Sequence, residues 1–142
     1  MAADFCFGSL VDHIGGNHKG WVIERCRDGS EKRLSYGELF EHSRALAQRL
    51  KAAGVEPREI IGLKSRNRLE WLVWELAAVM CDLVLQVFPE DQAGEDEGRL
   101  GQYHLRLLVS ETVAPEASSS GIFDIASTLS AYRYRRLCAL GR

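Results

Sequence analysis

Three short apolar runs, Ile60–Leu63, Leu83–Phe88 and Leu105–Val109, are separated by stretches long enough for a helix each time. Each run is too short to be a helix, is partly β-branched and is bounded by polar or turn residues, as strands buried on both faces are. A parallel strand reaches its neighbour only through a crossover of about a dozen residues or more, and the spacing here supplies one. Strands alternating with helices build a parallel sheet with helices packed on its faces. The expected fold class is therefore α/β: a small, mainly parallel sheet of three or four strands with flanking helices and an N-terminal hairpin.

The helix ahead of the first run is marked at both ends. Ser35 and Glu38 stand three apart, the spacing of a capping box, in which the hydroxyl accepts the N3 amide and the carboxylate reaches back to the cap. Behind them Tyr36, Leu39, Phe40, Ser43, Leu46, Ala47, Leu50 and Ala53 follow one helical face. Gly54 can take the left-handed position past the end, and Pro57 prevents continuation. A second helix is expected to start at the Asn67 cap and run from about Arg68 to Asp82, with only Glu75 breaking its apolar character. Most of its circumference then needs cover, and a partner chain can supply part of it. Trp71 and Trp74 on this helix are the candidate interface residues, the ordinary alternative being that they fill the core. Trp21–Cys26 and Lys32–Leu34 flank Arg27-Asp28-Gly29-Ser30, whose Asp-Gly pair predicts a hairpin. Leu10–Gly15 reads as a short leading helix, and Ile122–Leu129 as one more short element beyond Ser118-Ser119-Ser120-Gly121. The organisation expected is one α/β domain over residues 1–112, followed by a linker, a short element and a basic tail over 113–142.

Composition narrows the function. The 142 residues are 46% apolar and 27% charged, enough to bury a core in one domain. Lys and Arg number 18 against 20 Asp and Glu, a net charge of −2, so there is no basic surplus for a nucleic-acid backbone or an anionic membrane. Trp71–Trp74 and Leu76–Cys81 fall far short of the ~20 apolar residues that span a bilayer. Asp4 lies where a secretory leader needs positive charge, so a cytoplasmic chain is expected. Cys6, Cys26, Cys81 and Cys138 form no CxxC pair and read as free thiols, and His13, His18, His42 and His104 have no zinc-ligand spacing. The acidic residues Glu90, Asp91, Glu95, Asp96 and Glu97 lack the spacing of a calcium loop and suit the start of a helix instead. Tyr132, Arg133, Tyr134, Arg135 and Arg136 interleave rings and cations, which reads as a solvated tail or a partner contact rather than a nucleic-acid site. Asp12 with His13, and His42 with Ser43, make no nucleophile arrangement, because helix neighbours in sequence point different ways. No catalytic, cofactor-binding or metal-ligating residue is assigned.

The order of these pieces resembles the opening of the adenylate-forming superfamily, which includes acyl-CoA and aryl-CoA synthetases and the adenylation domains of peptide synthetases. The residues carrying the resemblance are Leu34-Ser35-Tyr36-Gly37-Glu38-Leu39, Ala53-Gly54-Val55-Glu56-Pro57, Asn67-Arg68-Leu69-Glu70-Trp71 and Val87-Phe88-Pro89. Arg99-Leu100 and Leu107-Leu108-Val109 fall where the family has its next helix and strand. Cys81-Asp82-Leu83 departs from the usual Ala-Gly-Ala, and Asp82 must then take the left-handed turn that glycine would. Arg58-Glu59 stands in place of Gly-Asp.

What the resemblance implies for activity is set by the family's later motifs. Family enzymes hold ATP phosphates with a Ser/Thr/Gly-rich loop ending in Pro-Lys, whose amides and ammonium offset the phosphate charge. The comparable run here, Ser118-Ser119-Ser120-Gly121, has no lysine after it; Lys19, Lys32, Lys51 and Lys64 all come earlier. The expectation is a truncated acyl-CoA-synthetase-like unit that binds no cofactor by itself, whereas the complete enzyme uses ATP, magnesium and CoA. It would act as a non-catalytic subunit or complementing half, with another protein chain or a second copy as partner. The alternatives are a fragment or splice form of an ATP-dependent carboxylic acid:CoA ligase, and a scaffold domain unrelated to acyl activation.

Overall fold

The computed structural model describes residues 7–17, 19–90, 96–111, 122–126 and 128. Asp4, Cys6, His18, Asp91, Glu95, Cys138, the run Ser118–Gly121 and the segment Tyr132–Arg142 lie outside the described residues. The elements in order are α1 (Phe7–Gly16), β1 (Trp21–Arg25), β2 (Glu31–Ser35), α2 (Tyr36–Ala52), β3 (Ile60–Lys64), α3 (Leu69–Met80), β4 (Val84–Phe88), α4 (Asp96–Gln102), β5 (Leu105–Ser110) and β6 (Ile122–Asp124).

Strands β4, β3, β5 and β6 lie side by side in that order, all parallel, and β1 and β2 form a separate antiparallel hairpin. From β3 the chain crosses through α3 to β4 on one side, then returns through α4 to β5 on the other. Two right-handed crossovers that move in opposite directions must put their helices on opposite faces. The packing agrees. Ile61, Leu63, Leu107 and Val109 face Leu46 and Leu50 of α2 and Val73 and Ala77 of α3. Ile60, Phe88, Leu105 and Leu108 face Leu100 and Tyr103 of the α4 side. Leu105 and Leu107 point to opposite faces although two apart, because the β3–β5 register shifts between Ile60 and Ile61 and leaves Arg106 as the extra residue. Gly62, in the middle of β3, admits this close packing: a Cβ there would stand 2.6 Å from a methyl of Leu105.

Local chemistry sets the ends of α2 as expected. Ser35 Oγ accepts the Glu38 amide at 3.1 Å. At the far end the Val55 amide donates to the Leu50 carbonyl at 3.0 Å and the Gly54 amide to the Lys51 carbonyl at 3.1 Å. With Gly54 at φ +82°, this is the Schellman closure, and Leu50 and Val55 supply its buried apolar contact. The hairpin turn holds together through Asp28, whose carboxylate accepts the Ser30 hydroxyl at 2.6 Å and the Ser30 amide at 2.9 Å. Those bonds hold its carboxyl below the ordinary value.

One boundary differs from the sequence reading for a physical reason. The second helix starts one residue late: Arg68, not Asn67, is the cap residue, and its own side chain does not cap. The hairpin turns Trp21 and Ile23 outward, 57% and 46% exposed, and Val22 and Glu24 toward the protein, because Glu24 has a partner there. The short element near 122 is the strand β6, paired in parallel with β5. Ile125 just beyond it is fully buried in the main core. Cys81 is buried and Cys26 half-buried; burial pushes the Cys81 thiol up, against a smaller opposing pull from Lys51. Among the described residues no helix is long and apolar enough to cross a membrane.

Candidate functional site

In open parallel sheets the ligand crevice lies beyond the carboxyl ends of the strands. Here those ends deliver a cluster of charge. After β3 the chain runs Ser65-Arg66-Asn67-Arg68 into α3, and after β5 it places Glu111 beside that loop. The Glu111 amide donates to the Lys64 carbonyl at 3.2 Å, which fixes the two strand ends against each other. The Glu111 carboxylate then accepts the Ser65 hydroxyl at 2.8 Å and pairs with Arg66 at 3.4 Å and Arg68 at 3.5 Å.

Arg68 grips Glu70 with two nitrogens, at 3.1 and 3.2 Å, and the pair is nearly closed to solvent. Burial pulls the Arg68 guanidinium down, but the Glu70 bond and the charges of Glu70, Glu111 and Glu24 outweigh it and hold the group above its ordinary value. Glu24 comes from the hairpin, and its carboxylate accepts the Leu69 amide at 3.1 Å, at the first turn of α3. A helix N-terminus carries open amides and positive potential, and it is there that a phosphate or carboxylate ligand ordinarily sits. In this chain a side chain from β1 occupies it.

Chemically the cluster is a fastening between β1, α3, β3 and β5. Within it three carboxylates meet two guanidiniums, and among the described residues no buried side-chain nitrogen or oxygen lacks a hydrogen-bond partner. Beside it a cleft of about 470 Å³ opens between hairpin and helix, lined by Val22, Ile23, Asn67, Trp71, Leu72 and Glu75 among others.

The two tryptophans have different places. Trp71 is half-buried on the wall of that cleft. Trp74 is 5% exposed, lies in the main core and donates its indole N–H to Thr128 Oγ1 at 2.9 Å. It also borders a second cavity, of about 300 Å³, with Leu46, Leu50, Val55 and Arg106. Glu24, Arg68 and Glu111 were not among the candidates of the sequence reading. The one local signal was an acid at an alternate position of β1, on the same side of the strand as Val22.

Comparisons place this architecture. The chain superposes on the N-terminal subdomain of Klebsiella oxytoca NpsA, solved with 3-hydroxyanthranilyl-AMSN, with a TM-score of 0.64 at 19% identity over 86% of this chain and 30% of that one. A benzoate CoA ligase from Burkholderia xenovorans LB400 gives 0.65 at 20% identity, covering 89% of this chain and 28% of the ligase. VinN, solved with 3-methylaspartate, gives 0.69 at 19% identity, covering 86% and 35%. The chain thus spans about a third of each of these three structures, and at such identities the likeness is one of fold. A search of curated proteins finds no significant match. The family model for AMP-binding enzymes, however, matches residues 16–128, which include the hairpin, α2, the parallel sheet and both crossovers. With four fifths of its sequence inside that match, the chain belongs to the AMP-binding enzyme family.

Proposed function

We propose that the chain is an N-terminal acyl-CoA-synthetase-like unit with no nucleotide site of its own, working in the cytoplasm as a non-catalytic subunit or complementing half. The observation that carries this is the Glu24 carboxylate on the first turn of α3. A nucleotide phosphate in this crevice would have to displace a bound carboxylate and compete with Glu70 and Glu111 for Arg66 and Arg68, whose charge those carboxylates already offset. The residues nearest the strand ends are spent on one another, and their arrangement supports a role in holding the fold. ATP, magnesium and CoA then belong to the complete enzyme, where a chain carrying the remaining two thirds of the family fold supplies their sites. That chain is the partner this reading requires.

A second reading, that the sequence is a piece of an ATP-dependent carboxylic acid:CoA ligase, draws support from the likeness to the benzoate CoA ligase. The chemistry would be the same, a carboxylate and ATP giving an acyl-adenylate and pyrophosphate, with every reacting group elsewhere in the longer polypeptide. The test is ATP–pyrophosphate exchange by the purified 142-residue chain against a panel of aliphatic and aromatic acids. Exchange at background level is expected. Acid-dependent exchange that scales with chain concentration would overturn the proposal. Sequencing the transcript separates the two readings: a frame continuing into a Ser/Thr/Gly-rich, Pro-Lys-ending loop selects the ligase.

A further inference from the structure

We propose that the outer edge of β4 is a self-association surface, at which two copies pair β4 with β4 in antiparallel fashion about a two-fold axis at Gln86. The inference goes beyond the proposed function: the second copy is a partner additional to the chain that carries the rest of the family fold. Among the described residues β4 has β3 as its one strand neighbour. The Val84 amide donates to the Glu59 carbonyl at 3.0 Å, on the β3 side. Main-chain groups alternate in direction along a strand, so those of Val84, Gln86 and Phe88 point to β3 and those of Leu85 and Val87 point outward. The outward Val87 carbonyl is met by the Gln86 side-chain amide at 3.4 Å, a long contact that a strand amide would replace at shorter range.

Among the described residues this edge lacks three of the usual protections. Val84-Leu85-Gln86-Val87-Phe88 holds no charge and no proline, and its pairing with β3 is unbroken by a bulge. Val84 and Val87 are 49% and 44% exposed. The strand is also complementary to itself. Its two outward positions are placed symmetrically about Gln86, so a two-fold axis there sets Leu85 opposite Val87 of the second copy in a doubly hydrogen-bonded pair, and the reverse. The same register sets Val84 opposite Phe88 of the second copy, so each exposed valine gains an apolar neighbour. No like charges meet within the strand pair, and two four-stranded sheets join into one.

Five residues a side make a small interface, so dimerisation is expected on the order of 100 μM rather than nanomolar. The experiment is sedimentation equilibrium of the full chain across that range, with Gln86→Cys and Val87→Lys. Opposed Gln86 residues form a non-hydrogen-bonded pair, with Cα atoms about 4.5 Å apart, within reach of a disulfide once each carries a thiol. Mild oxidation of Gln86→Cys is therefore expected to yield a dimer whose proteolytic map contains the β4 peptide disulfide-linked to its own copy. Val87→Lys places a charge at a half-exposed position that the single chain tolerates, and it is expected to keep the molecule monomeric. A single-chain mass throughout, or a dimer that lacks the linked β4 peptide and survives Val87→Lys, overturns this interface. Either result leaves the non-catalytic reading to be decided by the exchange assay.

Discussion

Arg68 and Glu70 stand two apart in sequence, a spacing at which helical side chains do not face each other. They meet because Arg68 is not helical: at φ −150° and ψ 167° it is the extended residue before α3, and its side chain folds back over the first turn. With Glu111 the three make a buried ion network. Breaking such a network from one side leaves carboxylates without their cation, which costs about 3–5 kcal/mol when burial is complete. Glu111 keeps some contact with solvent, so Arg68→Met is expected to destabilise by about 2–4 kcal/mol, read from the urea midpoint of the far-UV signal. An unchanged midpoint would show the network to be ornamental. Adding Glu70→Leu to Arg68→Met should recover part of the loss, since an apolar pair can replace a buried ionic one. Neither tryptophan needed the structure to be noticed, but their separate places did. Positions three apart on one helix are close enough to share a face, and only the neighbours of α3 put Trp74 inside and left Trp71 at a cleft.

The elements themselves were legible wherever their signals are local. Both ends of α2 follow from residues within four positions of the ends, and the structure has them where Ser35 and Gly54 require. The start of α3 was misplaced by one residue because its capping group comes from β1, a partner no local motif encodes. The turns into the parallel strands show a related pattern. Arg58, Asp82 and His104 sit at φ +69°, +54° and +56°, each just before β3, β4 or β5, where glycine is the usual choice. A left-handed conformation costs a side-chain-bearing residue about 1–2 kcal/mol, less for Asp, while glycine gives back some of this through a freer unfolded chain. Asp82→Gly is therefore expected to stabilise by roughly 0.5–1 kcal/mol in chemical denaturation. A lower midpoint would mean that the Asp82 side chain contributes something its backbone geometry does not reveal.

Across the whole molecule, the Glu24 carboxylate ties the hairpin to the first turn of α3. Glu24→Ala removes the cap of α3 and the bond that seats β1 against it, and a cost of about 1–2 kcal/mol is expected from the loss of an N-terminal helix cap. Native-state hydrogen exchange should show the Leu69 amide and the β1–β2 amides losing protection together. Loss at Leu69 alone would mean that the hairpin is held by its apolar contacts and not by Glu24. The period of the apolar residues, the caps of α2, the turn at Asp28-Gly29 and the strand–helix spacing were enough to define an α/β chain with a parallel sheet and its family resemblance. These are written within a few residues of one another and act in the local chain before any distant contact forms. The charge cluster was not written that way: Ser65 meets Glu111 across 46 positions and Leu69 meets Glu24 across 45. Such meetings depend on which strands become neighbours and in what register, and that is settled by burial of the two sheet faces together.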